Sequence, residues 1–246
     1  MEKIGKYQFM AEPFHCDFNS RLLMGHLGNH LLNAADFHSN DRGFGMIYLK
    51  TINKAWVLSR LAVEMEYMPK AYDRFWVETW VETAMRFFTN RNFAISGPDG
   101  QVYGYGRSVW AMIDTETRQP HNLLEINNGS ISDYIEREKV CPIAKSSRVQ
   151  MTPGAELVRT IDTYYNDVDM NGHINSVKYI EHVLDLWDLD WYSKHQIHRF
   201  EVAYVAESHQ GDRLSLYREQ TGENEYCVRI CKTGDVEVVR SKVVFF

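Results

Sequence analysis

One stretch of ten residues, 167–176, constrains the fold of this chain more than any other. It reads Asp-Val-Asp-Met-Asn-Gly-His-Ile-Asn-Ser, which concentrates carboxylates, amides and an imidazole. Apolar side chains then recur at helical spacing, at Ile174, Val177, Ile180, Val183, Leu184 and Trp187. The pattern predicts a loop that runs into the N-terminus of an amphipathic helix, which continues to about Trp191. Free backbone N–H groups and the positive end of the helix dipole at such a terminus stabilise negative charge.

The order strand, helix, several strands is predicted twice. The first copy has a strand within 5–18, a helix with Leu27, Leu31, Ala34, Ala35 and His38 on one face, and long strands between 56 and 113. The second copy has a strand at 157–164, the helix described above, and strands at 200–206, 213–219, 226–232 and 236–246. The chain is therefore predicted to be an α+β protein that contains two copies of one unit.

Short sequence matches support the duplication. Gly25-His26-Leu27 resembles Gly172-His173-Ile174, which lies 147 positions later (172 − 25), and Asp73-Arg74 resembles Asp212-Arg213. Residues 114–155 are polar and show little periodicity, apart from a short helical piece near 131–139. We therefore expect an N-terminal domain at 1–125, a connector at 126–152 and a C-terminal domain at 153–246.

The motif Asp-x-Asn-x-His at 169–173, followed by Ile-Asn-x-Val-x-Tyr-Ile, is similar to the signature of the acyl-acyl-carrier-protein (acyl-ACP) thioesterases. This family is known from plant plastids and from bacteria. The resemblance implies two tandem hotdog domains, each an antiparallel sheet wrapped around a central helix. It also implies hydrolysis of fatty acyl-ACP, which releases free fatty acid and terminates fatty acid synthesis.

The resemblance also identifies site residues. The Asp, Asn and His of the family's active site map to Asp169, Asn171 and His173, and a later Glu maps to Glu207, which follows the His by 34 positions (207 − 173). A carboxylate and an imidazole can position and deprotonate a water, and an amide can fix the water or the thioester carbonyl. We expect direct attack by water, with Glu207 or Asp169 as general base.

One departure from the family bears on the mechanism. Some members carry a Cys directly after that Glu, whereas this chain has Ser208, so we do not expect a thiolate acyl-enzyme. A Ser208 nucleophile is the alternative. In the first copy, the match at Gly25-His26 puts Leu22 and Met24 in place of Asp-x-Asn. We therefore expect a non-catalytic domain that, as the resemblance implies, holds the acyl chain.

Other functions are compatible with the same sequence features. Asp and Asn before a helix are also ordinary capping and turn residues. An acyl-CoA thioesterase, a hydratase and a non-catalytic acyl-binding regulator are alternatives on the same fold. The net charge of −6 and the lack of a visible DNA-binding segment disfavour a regulator and nucleic acid partners.

No cofactor and no metal are expected. Cys227 and Cys231 are interpreted as core thiols, and His26 and His30 as core or surface histidines without a third metal ligand. No apolar run approaches the roughly 18 residues of a membrane span, and the N-terminus lacks an apolar signal core, so we expect a cytoplasmic protein. The expected partner is acyl carrier protein, and the oligomeric state is left open, with a homodimer as one option.

Overall fold

The computed structural model describes residues 2–246. Their contacts divide them into two units. The first contains the described residues up to Leu61 together with Glu66–Lys145, and the second contains Ala62–Met65 and Ser146–Phe246. The main division lies within the segment predicted as a connector. Among the helices of residues 2–246, none is long and apolar enough to cross a bilayer.

The first unit is an antiparallel sheet with a long helix. Its strands are β1 Ile4–Met10, β2 Lys54–Met65 (whose last four residues, Ala62–Met65, are assigned to the second unit), β3 Arg74–Ala84, β4 Phe88–Ser96 and β5 Val102–Asp114. Its helices are α1 Met24–Asn40 and α2 Met46–Lys50. The strand order is β1-β3-β4-β5-β2, and α1 contacts β1 and β3. The positions predicted to face the core from α1 are all buried: Leu27, Leu31, Ala34, Ala35 and His38. Each buried leucine stabilises the fold by roughly 1.5–3 kcal/mol.

The second unit repeats this plan. Its strands are β6 Glu156–Asp162, β7 Ile197–Tyr204, β8 Arg213–Gln220, β9 Glu225–Lys232 and β10 Val236–Phe245, and its helices are α3 Ser176–Leu184 and α4 Leu189–Lys194. The strand order is β7-β10-β9-β8-β6, and every pair is antiparallel. Val177, Ile180 and Val183 of α3 are buried as predicted. The ring centroids of Tyr179 and Tyr204 lie 6.1 Å apart, which packs α3 against β7.

The predicted single helix up to Trp191 is wrong, because it is two helices. A carboxylate oxygen of Asp188 accepts a hydrogen bond from the backbone N–H of Trp191 at 2.8 Å and caps the start of α4. Trp187, in the turn before it, packs edge-on against Tyr226 and Phe245 with centroid distances of 5.2 Å. Burial of this indole and the new cap outweigh continuation of α3.

Two smaller expectations also need correction. The strand within 5–18 ends at Met10, and a 3-10 turn follows at Pro13–His15, because proline cannot donate to a strand ladder. The short helical piece near 131–139 is instead a pair of 3-10 turns within Leu123–Tyr134.

Part of the predicted connector is ordered against the sheet of the first unit. Arg107 of β5 donates to the carbonyl oxygens of Cys141 at 2.6 Å and Ile143 at 2.8 Å. Both residues pack with Trp80, which is fully buried. Trp80 is therefore part of the core of this unit.

The structure corrects the alignment of the two copies. His26 lies inside α1, whereas His173 precedes α3, so the match between Gly25-His26 and Gly172-His173 is wrong. The loop that corresponds to 169–173 is 17–21, at an offset of 152 positions (169 − 17). The first copy therefore keeps an Asp-x-Asn, at Asp17 and Asn19.

Candidate active site

The residues 168–174 form a closed loop ahead of α3. The ends of the loop are joined by an antiparallel bridge between Val168 and Ile174. Inside it, the N–H of Asp169 donates to the carbonyl of His173 at 2.8 Å, and the N–H of Gly172 donates to the carbonyl of Asp169 at 3.0 Å. Gly172 has φ +83°, a left-handed conformation that favours glycine. These bonds fix the backbone on which His173 is presented.

The Asp169 carboxylate holds the inside of this loop. Its Oδ1 accepts the N–H of Asn171 at 2.8 Å and, more weakly, the N–H of His173 at 3.4 Å. Its Oδ2 accepts the side-chain amide of Asn171 at 3.3 Å. Asp side chains stabilise turns in this way by bonding the backbone two residues ahead. Asp169 and Asn171 are therefore in contact, and Asn171 is exposed to solvent.

His173 and Glu207 meet across the mouth of the loop. Nε2 of His173 lies 3.3 Å from Oε2 of Glu207, and the two side chains are 24% and 40% exposed. The backbone between them is joined as well, because the N–H of Ile174 donates to the carbonyl of Ser208 at 2.9 Å. The structure thus brings these two predicted site residues together at a position that is open to solvent.

The start of α3 lies just behind the imidazole. Asn175 caps the helix, since its Oδ1 accepts the N–H of Val177 at 3.0 Å. The N–H of Asn175 donates to the carbonyl of Asp167 at 2.7 Å and ties the helix entry to the preceding turn. His173 is three residues ahead of Ser176, the first residue of α3, so the predicted order of polar loop and helix N-terminus is confirmed.

Ser208 follows Glu207 in sequence but points away from the imidazole. Its residue is 1% exposed, and its hydroxyl is hydrogen-bonded to the phenol of Tyr179 on α3. Burial raises the pKa of Tyr179, so this phenol stays protonated at neutral pH. The contact gives Ser208 a structural role under α3 and disfavours it as a nucleophile.

Two further residues contact the pair and were not identified from the sequence. Nζ of Lys232, on β9, donates to the backbone carbonyl of Glu207 at 2.8 Å. The ring of His209 lies edge-on to His173, with centroids 5.0 Å apart. Lys232 is distant in sequence and sits in an ordinary strand pattern, so no motif indicates it. His209 could have been found from its position two residues after Glu207.

The remaining titratable neighbours are tied to the fold. Nε2 of His182 on α3 lies 3.9 Å from the carboxylate of Asp167, and burial lowers the pKa of this imidazole. Among residues 2–246, no group of three or more His, Cys, Asp and Glu side chains is placed to hold a metal ion. The side chains described above offer an imidazole, carboxylates and an amide, and the start of α3 offers backbone N–H groups.

Comparison with known families and structures identifies the chain. Residues 4–127 match the model of the acyl-ACP thioesterase N-terminal domain, and residues 152–240 match that of the C-terminal domain. An acyl-ACP thioesterase from Bacteroides thetaiotaomicron VPI-5482 is 53% identical, with a TM-score of 0.93 over 99% of this chain and 98% of that one. The 12:0-ACP thioesterase from Umbellularia californica is 20% identical, with a TM-score of 0.86 over 100% of this chain and 98% of that one.

The curated relatives are more distant in sequence. The chloroplastic oleoyl-acyl carrier protein thioesterase 2 of Arabidopsis thaliana is 22% identical over 93% of this chain, and the chloroplastic dodecanoyl-[acyl-carrier-protein] hydrolase of Cinnamomum camphora is 24% identical over 87%. The chain spans 66% and 60% of their lengths. The structural matches confirm the predicted α+β architecture of two tandem hotdog domains. This chain belongs to the acyl-ACP thioesterase family.

Proposed function

We propose that the chain hydrolyses the thioester of fatty acyl-acyl carrier protein and releases free fatty acid, which terminates fatty acid synthesis. Family membership and the likeness to the Bacteroides thetaiotaomicron enzyme support this reaction. Acyl carrier protein is the proposed partner, and the cytoplasm is the proposed location. A homodimer stays an option for the oligomeric state.

The contact between His173 and Glu207 is the observation that carries the proposal. An imidazole beside a carboxylate can take a proton from water, and the carboxylate stabilises the imidazolium that results. Nε2 of His173 faces Glu207 at 3.3 Å, so the other ring nitrogen, Nδ1, is the atom that can accept the proton from water. The half-exposed position of the pair gives a thioester access to it.

The proposed reaction is direct attack by water. The water oxygen bonds to the thioester carbonyl carbon while His173, in place of the expected base Glu207 or Asp169, takes one of the water's protons. The tetrahedral oxyanion then collapses, the carbon–sulfur bond breaks, and the thiolate of the carrier's prosthetic group takes a proton to become the thiol. A thiolate is a good leaving group, so the step needs little acid assistance. The exposed amide of Asn171 and the N-terminus of α3 are proposed to orient the carbonyl and stabilise its charge.

The two domains are proposed to divide these tasks. The segment 153–246 is the catalytic domain, 126–152 is a connector, and 1–125 is a non-catalytic copy that holds the acyl chain. Arg21 stands where the second unit has His173, and this supports a first copy without hydrolytic chemistry. Apolar residues of its sheet, such as Met65 and Trp76, fit either a chain-binding surface or the core.

The proposal is tested by thiol release from a panel of acyl-ACP and acyl-CoA thioesters of different chain lengths. Wild type is compared with His173→Ala and Glu207→Gln, and with Glu223→Gln as a matched control in an exposed loop. Rapid release from acyl-ACP that falls by about 10²–10⁴-fold in both site variants supports the proposal. Preference for acyl-CoA keeps the site but changes the carrier, and release that survives His173→Ala refutes the assigned base.

A further inference from the structure

The first unit carries a second copy of the active-site loop, at residues 17–22. The N–H of Asp17 donates to the carbonyl of Arg21 at 2.7 Å, and the N–H of Ser20 donates to the carbonyl of Asp17 at 2.9 Å. The corresponding bonds around Asp169 measure 2.8 and 3.0 Å. Cys16 and Leu22 form the antiparallel bridge that closes the loop.

The two aspartates make the same bonds with their carboxylates. Oδ1 of Asp17 accepts the N–H groups of Asn19 at 2.8 Å and of Arg21 at 2.9 Å. Oδ1 of Asp169 accepts from the equivalent positions, at 2.8 and 3.4 Å. Oδ2 of each aspartate accepts a side-chain N–H at 3.3 Å, from Arg21 in the first loop and from Asn171 in the second.

The segment beside each loop is duplicated too. The N–H of Leu22 donates to the carbonyl of Pro69 at 2.8 Å, as that of Ile174 does to Ser208. Four residues beyond, Asp73 caps its turn by accepting the N–H of Lys70 at 2.9 Å. In the second unit Asp212 accepts the N–H of His209 in the same way, at 2.8 Å.

This register identifies what differs between the copies. Because Pro69 corresponds to Ser208, Met68 corresponds to Glu207, and Arg21 stands at the position of His173. The first loop has neither the imidazole nor the carboxylate opposite it. It nevertheless keeps the aspartate and every hydrogen bond that the aspartate makes to the backbone.

We infer that Asp169 is a positioning residue: its carboxylate builds the loop that presents His173, and it does not take the proton from water. The inference rests on the proposed function, and it gives the two carboxylates different roles: Glu207 contacts the imidazole, and Asp169 holds the loop. Asp17 holds the same loop although Arg21 stands in place of the imidazole, so the bonds of this aspartate need no catalytic explanation. In Asp169 both oxygens are already bonded within the loop, whereas Glu207 faces the imidazole directly.

The test separates a hydrogen-bond acceptor from a base. Asp169→Asn keeps an oxygen that can accept both backbone N–H groups but cannot act as a base, whereas Asp169→Ala removes the acceptor. We expect Asp169→Asn to keep kcat within about tenfold of wild type and to leave the pH at which kcat falls unchanged. We expect Asp169→Ala to lose most activity together with a fall in melting temperature.

The first unit supplies the matched controls. Asp17→Ala should lower the melting temperature by an amount similar to that of Asp169→Ala, and Asp17→Asn should lower it little. The inference is overturned if Asp169→Asn is as inactive as His173→Ala while its melting temperature equals that of wild type. If wild type releases no thiol, the proposed function fails, but the matched melting shifts of the two alanine variants still test whether both aspartates build their loops.

Discussion

Nε2 of His173 lies 3.3 Å from Oε2 of Glu207, although the residues are 34 positions apart in the chain (207 − 173). The carbonyl of Ser208 and the ammonium of Lys232 hold the two backbones on either side of this contact. Because the two backbones are held in place, the distance between the imidazole and the carboxylate depends on the length of the Glu207 side chain.

Shortening that side chain is expected to separate the pair. Glu207→Asp keeps the charge but withdraws the carboxylate by one methylene, and a displacement of about 1 Å can cost on the order of 10² in rate. We expect kcat to fall by about that factor with the melting temperature unchanged, measured by thiol release and thermal unfolding. Glu223→Asp is the control, and unchanged activity in Glu207→Asp would contradict the assigned contact.

Ser208 is expected to matter for stability and not for chemistry. Ser208→Ala should keep kcat within about tenfold of wild type, and it should lower the free energy of unfolding by about 1–3 kcal/mol, because the buried phenol of Tyr179 loses its partner. Tyr179→Phe leaves the Ser208 hydroxyl unpaired instead. Denaturant unfolding of both variants and of the double variant should give a double loss smaller than the sum. Near-complete loss of activity in Ser208→Ala would instead point to an acyl-enzyme.

There is space for a side chain at Gly172, but its backbone angle disfavours any residue other than glycine. A Cβ at this position would meet no atom within 4 Å, so Gly172→Ala tests the backbone angle of +83° alone. We expect a loss of about 1 kcal/mol in the free energy of unfolding, and a smaller loss for Gly172→Asn. Ser20, its counterpart in the first loop, already has φ +60°, so Ser20→Gly is the reverse control. Equal stability of wild type and Gly172→Ala would show that the loop relaxes.

Acid should destabilise the first unit through His38. This fully buried imidazole donates to the carbonyl of Lys3 at 3.1 Å, and burial, with Arg91 and Arg42 nearby, lowers its pKa to about 2. The unfolded chain, with a pKa near 6.5, then binds a proton that the folded chain does not. The stability from His38 is therefore full above about pH 6.5 and is lost as the pH falls, at about 1.4 kcal/mol per pH unit.

Urea unfolding between pH 6 and 5 measures this effect. His38→Gln should reduce the dependence of the unfolding free energy on pH by about 1.4 kcal/mol per unit, whatever its effect on absolute stability. An unchanged slope in His38→Gln would mean that the imidazole is charged in the folded chain.

A buried ionic network in the second unit is expected to be sensitive to loss of its cation. Arg199 bonds Glu64 and Glu201 at 2.7 Å each, and the side chains of Arg199 and Glu201 are 10% and 5% exposed. Arg199→Met leaves two carboxylates without their counter-ion and should cost about 3–5 kcal/mol in chemical unfolding. Arg213→Met, which breaks an exposed pair with Asp162 at 3.7 Å, should have no measurable effect. Similar losses in both variants would contradict the role of burial.

The family resemblance assigned His173 and Glu207 to one site, and the structure places their side chains 3.3 Å apart. The apolar period predicted which side of α3 is buried. The division of α3 from α4 was missed, because the packing of Trp187 on Tyr226 and Phe245 joins residues far apart in sequence. The bond from Lys232 to the Glu207 carbonyl was missed for the same reason.

The correct register of the repeat is visible in the sequence. The similarity of Gly25-His26 to Gly172-His173 suggests a different register, but the structure matches Asp17 and Asn19 with Asp169 and Asn171. Asp-x-Asn recurs at an offset of 152 positions (171 − 19), and this match is visible in the printed chain. His26 is a misleading guide to the register, because it lies inside α1 and not in the loop that corresponds to 169–173.

The duplicated loop gives this chain an internal control for the active-site loop. Residues 17–21 hold the backbone of the active-site loop with the reactive groups replaced, so any property that both loops share belongs to the scaffold. A property found in only one of them belongs to the residues that differ, among them Arg21 in place of His173 and Met68 in place of Glu207. Comparisons that usually need an engineered knockout can thus be made between two halves of one molecule, at the same temperature, pH and concentration.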